Sequence, residues 1–220
     1  CTEQYIQAIK NLTYNNYDIL LVDNSKDDRF YNSIKDKVPV IRDKYQPNVY
    51  DRIISSRNLL RKKTLEGGYD YLFSLEQDVI PPKNVIEHLL MYKEGIISGV
   101  YFKSGIYDNY KEPIAMLWVM APAHPDDHYK AVPVRSEIIN GKNLIKVDFC
   151  GLGCILIHRN VLEKVEFRHE SSKSLATDDI YFCIDARKLG FKIHADTAVK
   201  CKHMVSGKTW SWDEIIPRRE

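Results

Sequence analysis

Strand-like and helix-like runs alternate along this chain, and two of the strands end in carboxylates. Tyr17-Asp18-Ile19-Leu20-Leu21-Val22 reads as a buried strand closing in Asp23-Asn24-Ser25, and residues 69–75 as another closing in Glu76-Gln77-Asp78. Such alternation builds an α/β layer around a largely parallel sheet, which binds ligands in the crevice at the carboxyl ends of its strands. Both acidic clusters fall there.

The other elements follow from period and punctuation. Residues 2–12 read as a helix with Tyr5, Ile6, Ile9 and Leu12 on one face, and residues 51–66 as a helix closed by Gly67-Gly68. Pro81-Pro82 opens a helix whose stripe is Val85, Ile86, Leu89 and Leu90, stopped by Gly95. Residues 96–102 and 115–120 read as strands. Residues 145–149 and 154–158 are short apolar runs around Gly151-Leu152-Gly153. Residues 178–189 form a helix ended by Gly190, and residues 191–199 a last strand. Residues 103–113 and 122–143 read as loops or a hairpin insert, and the denser β content after residue 95 implies a mixed sheet there.

With 220 residues, 44% hydrophobic, the chain is expected to form one domain with a buried core. Its 32 basic and 30 acidic residues leave a net charge of +2, which argues against a dedicated nucleic-acid binder. No apolar run reaches the roughly 18 residues of a spanning helix, and residues 1–10 lack the pattern of a signal peptide, so a cytoplasmic protein is expected. The five cysteines read as buried small hydrophobes in a reducing cytosol, with one disulfide left open.

Several residues carry a chemical reading beside a plainer one. Glu76 and Asp78, two apart in an extended chain, point the same way and would offer hard oxygens to one divalent cation; otherwise they belong to a polar loop. Thr177-Asp178-Asp179 suits a helix start, with Thr177 as cap, and would equally place a general base beside a cleft. His203 is a metal ligand or a half-buried imidazole. Arg57 pairs with a phosphate, or joins Arg61, Lys62 and Lys63 on a solvated face. Gly151 and Gly153 admit a ligand to the backbone, or make a tight turn. His124-Pro125-Asp126-Asp127-His128 is a polar loop or a small site, and a zinc site drawn from the cysteines is set aside for its spacing.

The order of these motifs resembles family-two-like glycosyltransferases with the GT-A fold. The strand ending in Asp23, the Ser56-Arg57-Asn58 helix, and Gly68 to Asp78 followed by Pro81-Pro82 are similar to that family's second strand, Ala-Arg-Asn helix and Asp-x-Asp strand. Phe149 to Arg159 resembles its acceptor-side Gly segment, Thr177 to Phe182 its Glu-Asp helix, and His203 its late metal-binding His. The resemblance covers about residues 1–205.

It implies a GT-A-like, Rossmann-like mixed and mostly parallel sheet flanked by helices, in one domain. Residues 1–100 would form the nucleotide-sugar half and residues 101–220 the acceptor half. It further implies a metal-dependent, inverting transfer of a sugar from a UDP- or GDP-sugar to a hydroxyl of a glycan, protein or lipid-linked acceptor. Asp78, Glu76 and His203 would hold Mn2+ or Mg2+. Asp23, Arg57, Gly151 and Gly153 would bind substrate, and Asp179 would act as base with Asp178 beside it. Membrane contact would be peripheral, at the inner face. The chain departs from the pattern in three places: Glu76 opens the metal triplet, Asp178 replaces a Glu, and the family's first strand is missing upstream of Cys1. The first and third of these lean somewhat toward a non-catalytic nucleotide- or glycan-binding module, the alternative that stands behind the transferase. A nucleotidyltransferase would want a Gly-rich phosphate loop near the N-terminus, and none is seen.

Overall fold

Alternate residues of two adjacent strands split between two cores, and that split organises the molecule. Ile96, Ile155 and Ile157 enter one hydrophobic cluster, while Ile97, Cys154 and Leu156 enter another on the opposite face. Helix Asp178–Lys188 covers the first with Phe182, Cys183 and Ala186. Helix Val85–Met91 covers the second with Val85, Ile86 and Leu89. Each fully buried isoleucine contributes about 1.5–3 kcal/mol. The structure is a computed structural model and describes residues 1–103, 114–122, 129–141, 143–170, 177–205 and 208–210.

The sheet between these cores has the order Leu144–Val147, Ile193–Lys200, Ile96–Val100, Cys154–His158, Tyr71–Leu75. Ile193–Lys200, Ile96–Val100 and Tyr71–Leu75 run the same way, as alternation with helices requires. Cys154–His158 nevertheless lies antiparallel between two of them, and Leu144–Val147 is antiparallel at the edge. The sheet is therefore mixed, as expected, but its pairings are mostly antiparallel and not mostly parallel. Alternation sets the direction of strands but not their adjacency, so a late strand was free to slot between two early ones.

Leu21–Asp23 and Val40–Arg42 form a separate parallel pair, joined through helix Arg29–Ile34. The strand expected over 17–22 is confined to Leu21–Asp23, where Val40–Arg42 supplies its pairing partner, and the Tyr17 hydroxyl donates to the Ile9 carbonyl at 2.9 Å. Ile34 and Val38 pack here on Tyr5, Ile6 and Ile9 of helix Thr2–Lys10. The helix expected to open at Pro81 begins instead at Val85, where the amide bonds the Pro82 carbonyl at 3.1 Å.

Helix Val49–Glu66 is capped by the Asn48 side chain, which accepts from Tyr50 N at 2.8 Å. Among its residues only Thr64 is buried and Leu65 packs half-buried on the first core, and polar contacts dock the rest. Asn58 exchanges two hydrogen bonds with the Phe167 backbone, at 2.8 and 3.0 Å, and Arg61 Nε donates to the Leu162 carbonyl at 2.6 Å.

Smaller sheets surround the main one. Val79–Ile80, Lys202–Val205 and Lys208–Trp210 make one; Phe149–Cys150, Leu117–Pro122 and Tyr129–Pro133 another; Phe102–Lys103 and Ile114–Ala115 a third. Tyr129–Pro133 pairs antiparallel with Leu117–Pro122, in line with the hairpin insert expected as one reading of 122–143, while helix Ser136–Ile139 departs from that expectation. The His124 to His128 motif and most of the loop over 103–113 lie outside the described residues. Among the described residues, no helix is long and apolar enough to cross a membrane.

Candidate functional site

The carboxyl ends of Tyr71–Leu75, Ile96–Val100 and Ile193–Lys200 share one edge of the sheet. The amino end of Cys154–His158 lies there too, since Cys154 pairs with Leu75. The backbone ties the segments beyond these ends together. Glu76 N donates to the Gly153 carbonyl at 3.0 Å, and Met204 N donates to the Asp78 carbonyl at 2.7 Å. His203 stands opposite Val79 in antiparallel register, which brings its ring beside Asp78.

Arg57 is the hub. From helix Val49–Glu66 its Nε donates to Asp178 Oδ2 at 2.6 Å, its Nη2 to Glu76 Oε1, and its Nη1 to Ser74 Oγ at 3.3 Å. The side chain is 12% exposed, so the solvated basic face expected as one reading is corrected. Burial opposes its charge, but the carboxylates of Glu76 and Asp178 outweigh that and keep the guanidinium ionised. Burial raises the Glu76 carboxyl above its ordinary value; Asp78 and Asp178 add to this while Arg57 opposes it.

Asp178 and Asp179 open helix Asp178–Lys188 behind Thr177. Thr177 occupies the cap position, but its hydroxyl donates to Asp179 Oδ1 and its oxygen makes no capping bond to a backbone N–H of the helix, a correction to the cap reading. Asp179 Oδ1 also accepts from Ile180 N at 2.8 Å. Burial raises the Asp179 carboxyl, and repulsion from Asp178 adds to it.

His203 is buried. Its Nδ1 lies 2.6 Å from the Phe102 carbonyl, an acceptor that requires a proton on Nδ1, and its Nε2 faces Asp78 Oδ2 at 3.5 Å. Burial works against the imidazolium, yet the hydrogen bonds to Asp78 and Phe102 prevail and raise the pKa. An imidazole anchored through Nδ1 presents Nε2 as a metal ligand once that nitrogen sheds its proton. Asp78 and His203 thus fit a divalent cation that takes its remaining ligands from phosphate and water. Among the described residues, no group of three His, Cys, Asp or Glu side chains is placed to hold a metal ion.

Gly151 and Gly153 sit at the same edge. A side chain at Gly151 would begin 2.0 Å from the Tyr101 hydroxyl, and one at Gly153 would begin 2.8 Å from it and 2.9 Å from Glu76 Oε2. Their bareness makes room for Tyr101, whose hydroxyl accepts from Gly153 N at 2.9 Å and whose ring meets His203 edge-on at 5.2 Å. Burial pushes the Tyr101 hydroxyl well up, so it stays protonated. Sequence reasoning missed Tyr101, although an aromatic with a polar tip directly after a buried strand was the available signal. It also missed Tyr5, whose hydroxyl donates to the Leu75 carbonyl at 3.0 Å, next to Glu76.

Asp23 stands apart from this hub, on the neighbouring strand pair. It is buried, ion-paired with Arg42, and accepts from Ser25 N at 2.9 Å. Burial works against its charge, but Ser25 and Arg42 hold the carboxyl below its ordinary value. A cavity of about 510 Å3 opens beyond it, lined by Ser25, Lys26, Asp27, Arg29 and Phe30. Asn24 links the two regions, its Nδ2 donating to Ser56 Oγ at 3.1 Å, next to Arg57.

This architecture is similar to that of GalNAc-T7 solved with UDP, GalNAc and Mn2+, at a TM-score of 0.57 and 13% identity. The two share a fold. The match covers 90% of this chain and 40% of GalNAc-T7. The crystal structure of A197 from STIV is also similar, at a TM-score of 0.51 and 18% identity over 88% of each chain. No family model matches the chain, and no curated protein matches its sequence.

Proposed function

We propose that this chain is a GT-A-type glycosyltransferase that moves a sugar from a nucleotide diphosphate to an acceptor hydroxyl. The observation that carries the reading is the meeting of Glu76, Asp78, Asp178, Asp179 and His203, from three distant segments, around Arg57 and Tyr101 at the carboxyl edge of the sheet. The fold shared with GalNAc-T7, solved with UDP and Mn2+, supports it.

In this reading residues 1–100 form the donor half of one domain and residues 101–220 the acceptor half. Asp78 and His203 would hold a divalent cation, Mn2+ or Mg2+, with Glu76 beside them. When bound, the ion offsets the charge of the departing diphosphate. Asp23 and the cavity beyond it would take the nucleoside. Asp179, with its pKa raised toward the working range, would accept the acceptor's proton as its oxygen attacks the anomeric carbon. Asp178, held by Arg57, would keep the helix start in place, and the bare backbone at Gly151 and Gly153, expected to admit a ligand, would instead seat Tyr101 beside Glu76 and His203.

The test is a thermal shift with UDP, GDP, CMP and their common sugars, with and without Mn2+. One nucleotide is expected to raise the melting temperature only when metal is present, by an amount set by concentration over affinity. Asp78→Ala should remove the metal dependence. No response to any nucleotide would overturn the reading. Metal-dependent binding with no turnover would make the chain a binding module of the same fold.

A further inference from the structure

Four of the five cysteines meet in two buried pairs. Helix Asp178–Lys188 packs on Phe149–Cys150, and Cys183 Sγ donates to the Cys150 carbonyl at 3.7 Å. The thiols of Cys154 and Cys201 both lie beside Gly99. All four residues are at most 1% exposed.

The backbone treats the two pairs differently. Cys154 and Cys201 flank strand Ile96–Val100 and meet over Gly99, where a side chain would begin 2.9 Å from one sulfur and 3.6 Å from the other. Two inter-strand spacings of about 4.8 Å part their main chains. A disulfide spans at most about 7 Å between Cα atoms, so this pair fills the hollow left by the glycine and stays unbonded. Nothing intervenes between Cys150 and Cys183, because helix Asp178–Lys188 packs directly on Phe149–Cys150.

We infer that Cys150 and Cys183 close into a disulfide that pins the helix bearing Asp178 and Asp179 to the turn bearing Gly151 and Gly153. Two S–H bonds break and one S–S bond forms. Two protons leave, and the two electrons reduce the S–S bond of a small-molecule disulfide, such as oxidised glutathione, to two thiols. Cys183 and burial keep the Cys150 thiol protonated in the folded chain, so exchange runs while the chain folds or opens.

The chain is unfolded in denaturant, refolded with oxidised glutathione, cleared of mixed disulfides on exposed thiols, and compared with chain refolded under reductant. Titration of the oxidised sample in denaturant should find three thiols, those of Cys1, Cys154 and Cys201, out of five. Peptide mapping should link Cys150 to Cys183, with a loss of two hydrogens in mass. The melting temperature should rise by on the order of 10 °C. Cys183→Ser should abolish that rise, and Cys154→Ser should keep it. Five free thiols after oxidation, a Cys154–Cys201 bond, or equal melting of the two samples would overturn the inference. The thiol count and map need no variant to fold, and neither depends on the chain transferring sugar.

Discussion

Asp179 carries a charge that its surroundings disfavour. Burial raises its carboxyl in the folded chain, so at neutral pH the unfolded chain holds the same charge more easily. That penalty is present above the folded pKa and fades as pH falls to the unfolded value of about 3.9. Asparagine keeps Oδ1 as an acceptor for Thr177 and Ile180 without the charge. Asp179→Asn is therefore expected to melt at or above the parent's temperature near pH 7, with the difference shrinking toward about pH 4, and to bind donor while losing transfer. Melting curves across that range, beside a transfer assay, check both parts. A variant less stable than the parent at neutral pH would make the charge a structural support of the helix start. Asp23 has the opposite sign: Ser25 and Arg42 lower its carboxyl, so its contribution is full near neutrality and is lost as pH falls below the unfolded value.

Three elements converge on one guanidinium. Arg57 belongs to helix Val49–Glu66, Glu76 follows strand Tyr71–Leu75, and Asp178 opens helix Asp178–Lys188. Deleting one partner of a buried ion pair leaves its carboxylates uncompensated and costs about 3–5 kcal/mol. Arg57→Ala should lose about that much in denaturant unfolding. Asn58→Ala, which loses two hydrogen bonds to the Phe167 backbone, should lose about 1–3 kcal/mol. An Arg57→Ala loss no larger than that of Asn58→Ala would mean water replaces the guanidinium, and Arg57 would then be free to serve a phosphate. The sequence announced these elements better than their junctions. Residues 51–66 and 178–189 were legible as helices because glycine stops and the acidic first turn at Asp178 and Asp179 act locally. Arg57 was legible only as a phosphate ligand or a surface cation, because Glu76 and Asp178 reach it through tertiary packing. Tyr101 was hidden for the same reason.

At the scale of the whole molecule, the mixed sheet settles where a ligand's influence should be felt. Three strands deliver their carboxyl ends to one edge, and Cys154–His158, inserted against them, delivers its amino end with Gly151 and Gly153. The alternating sequence made that edge legible, since strand direction follows from alternation, while the insertion depended on a pairing between residues far apart in the chain. The opposite edge holds helix Arg159–Leu162 and the turn at Gly190, with φ of 84°. These carry packing and turns and none of the candidate site residues. A nucleotide bound with Mn2+ should therefore slow amide exchange at residues 76–79, 151–154 and 202–204, and leave residues 159–164 and 188–192 unchanged. Local opening at the carboxyl edge becomes rarer when a ligand ties those segments together, whereas the far edge already exchanges at a rate set by its own packing. Exchange by mass spectrometry, with and without the nucleotide identified by thermal shift, reads this directly. Equal slowing at both edges would mean that the ligand stabilises the fold globally, and slowing confined to the far edge would move the binding site away from the Arg57 hub.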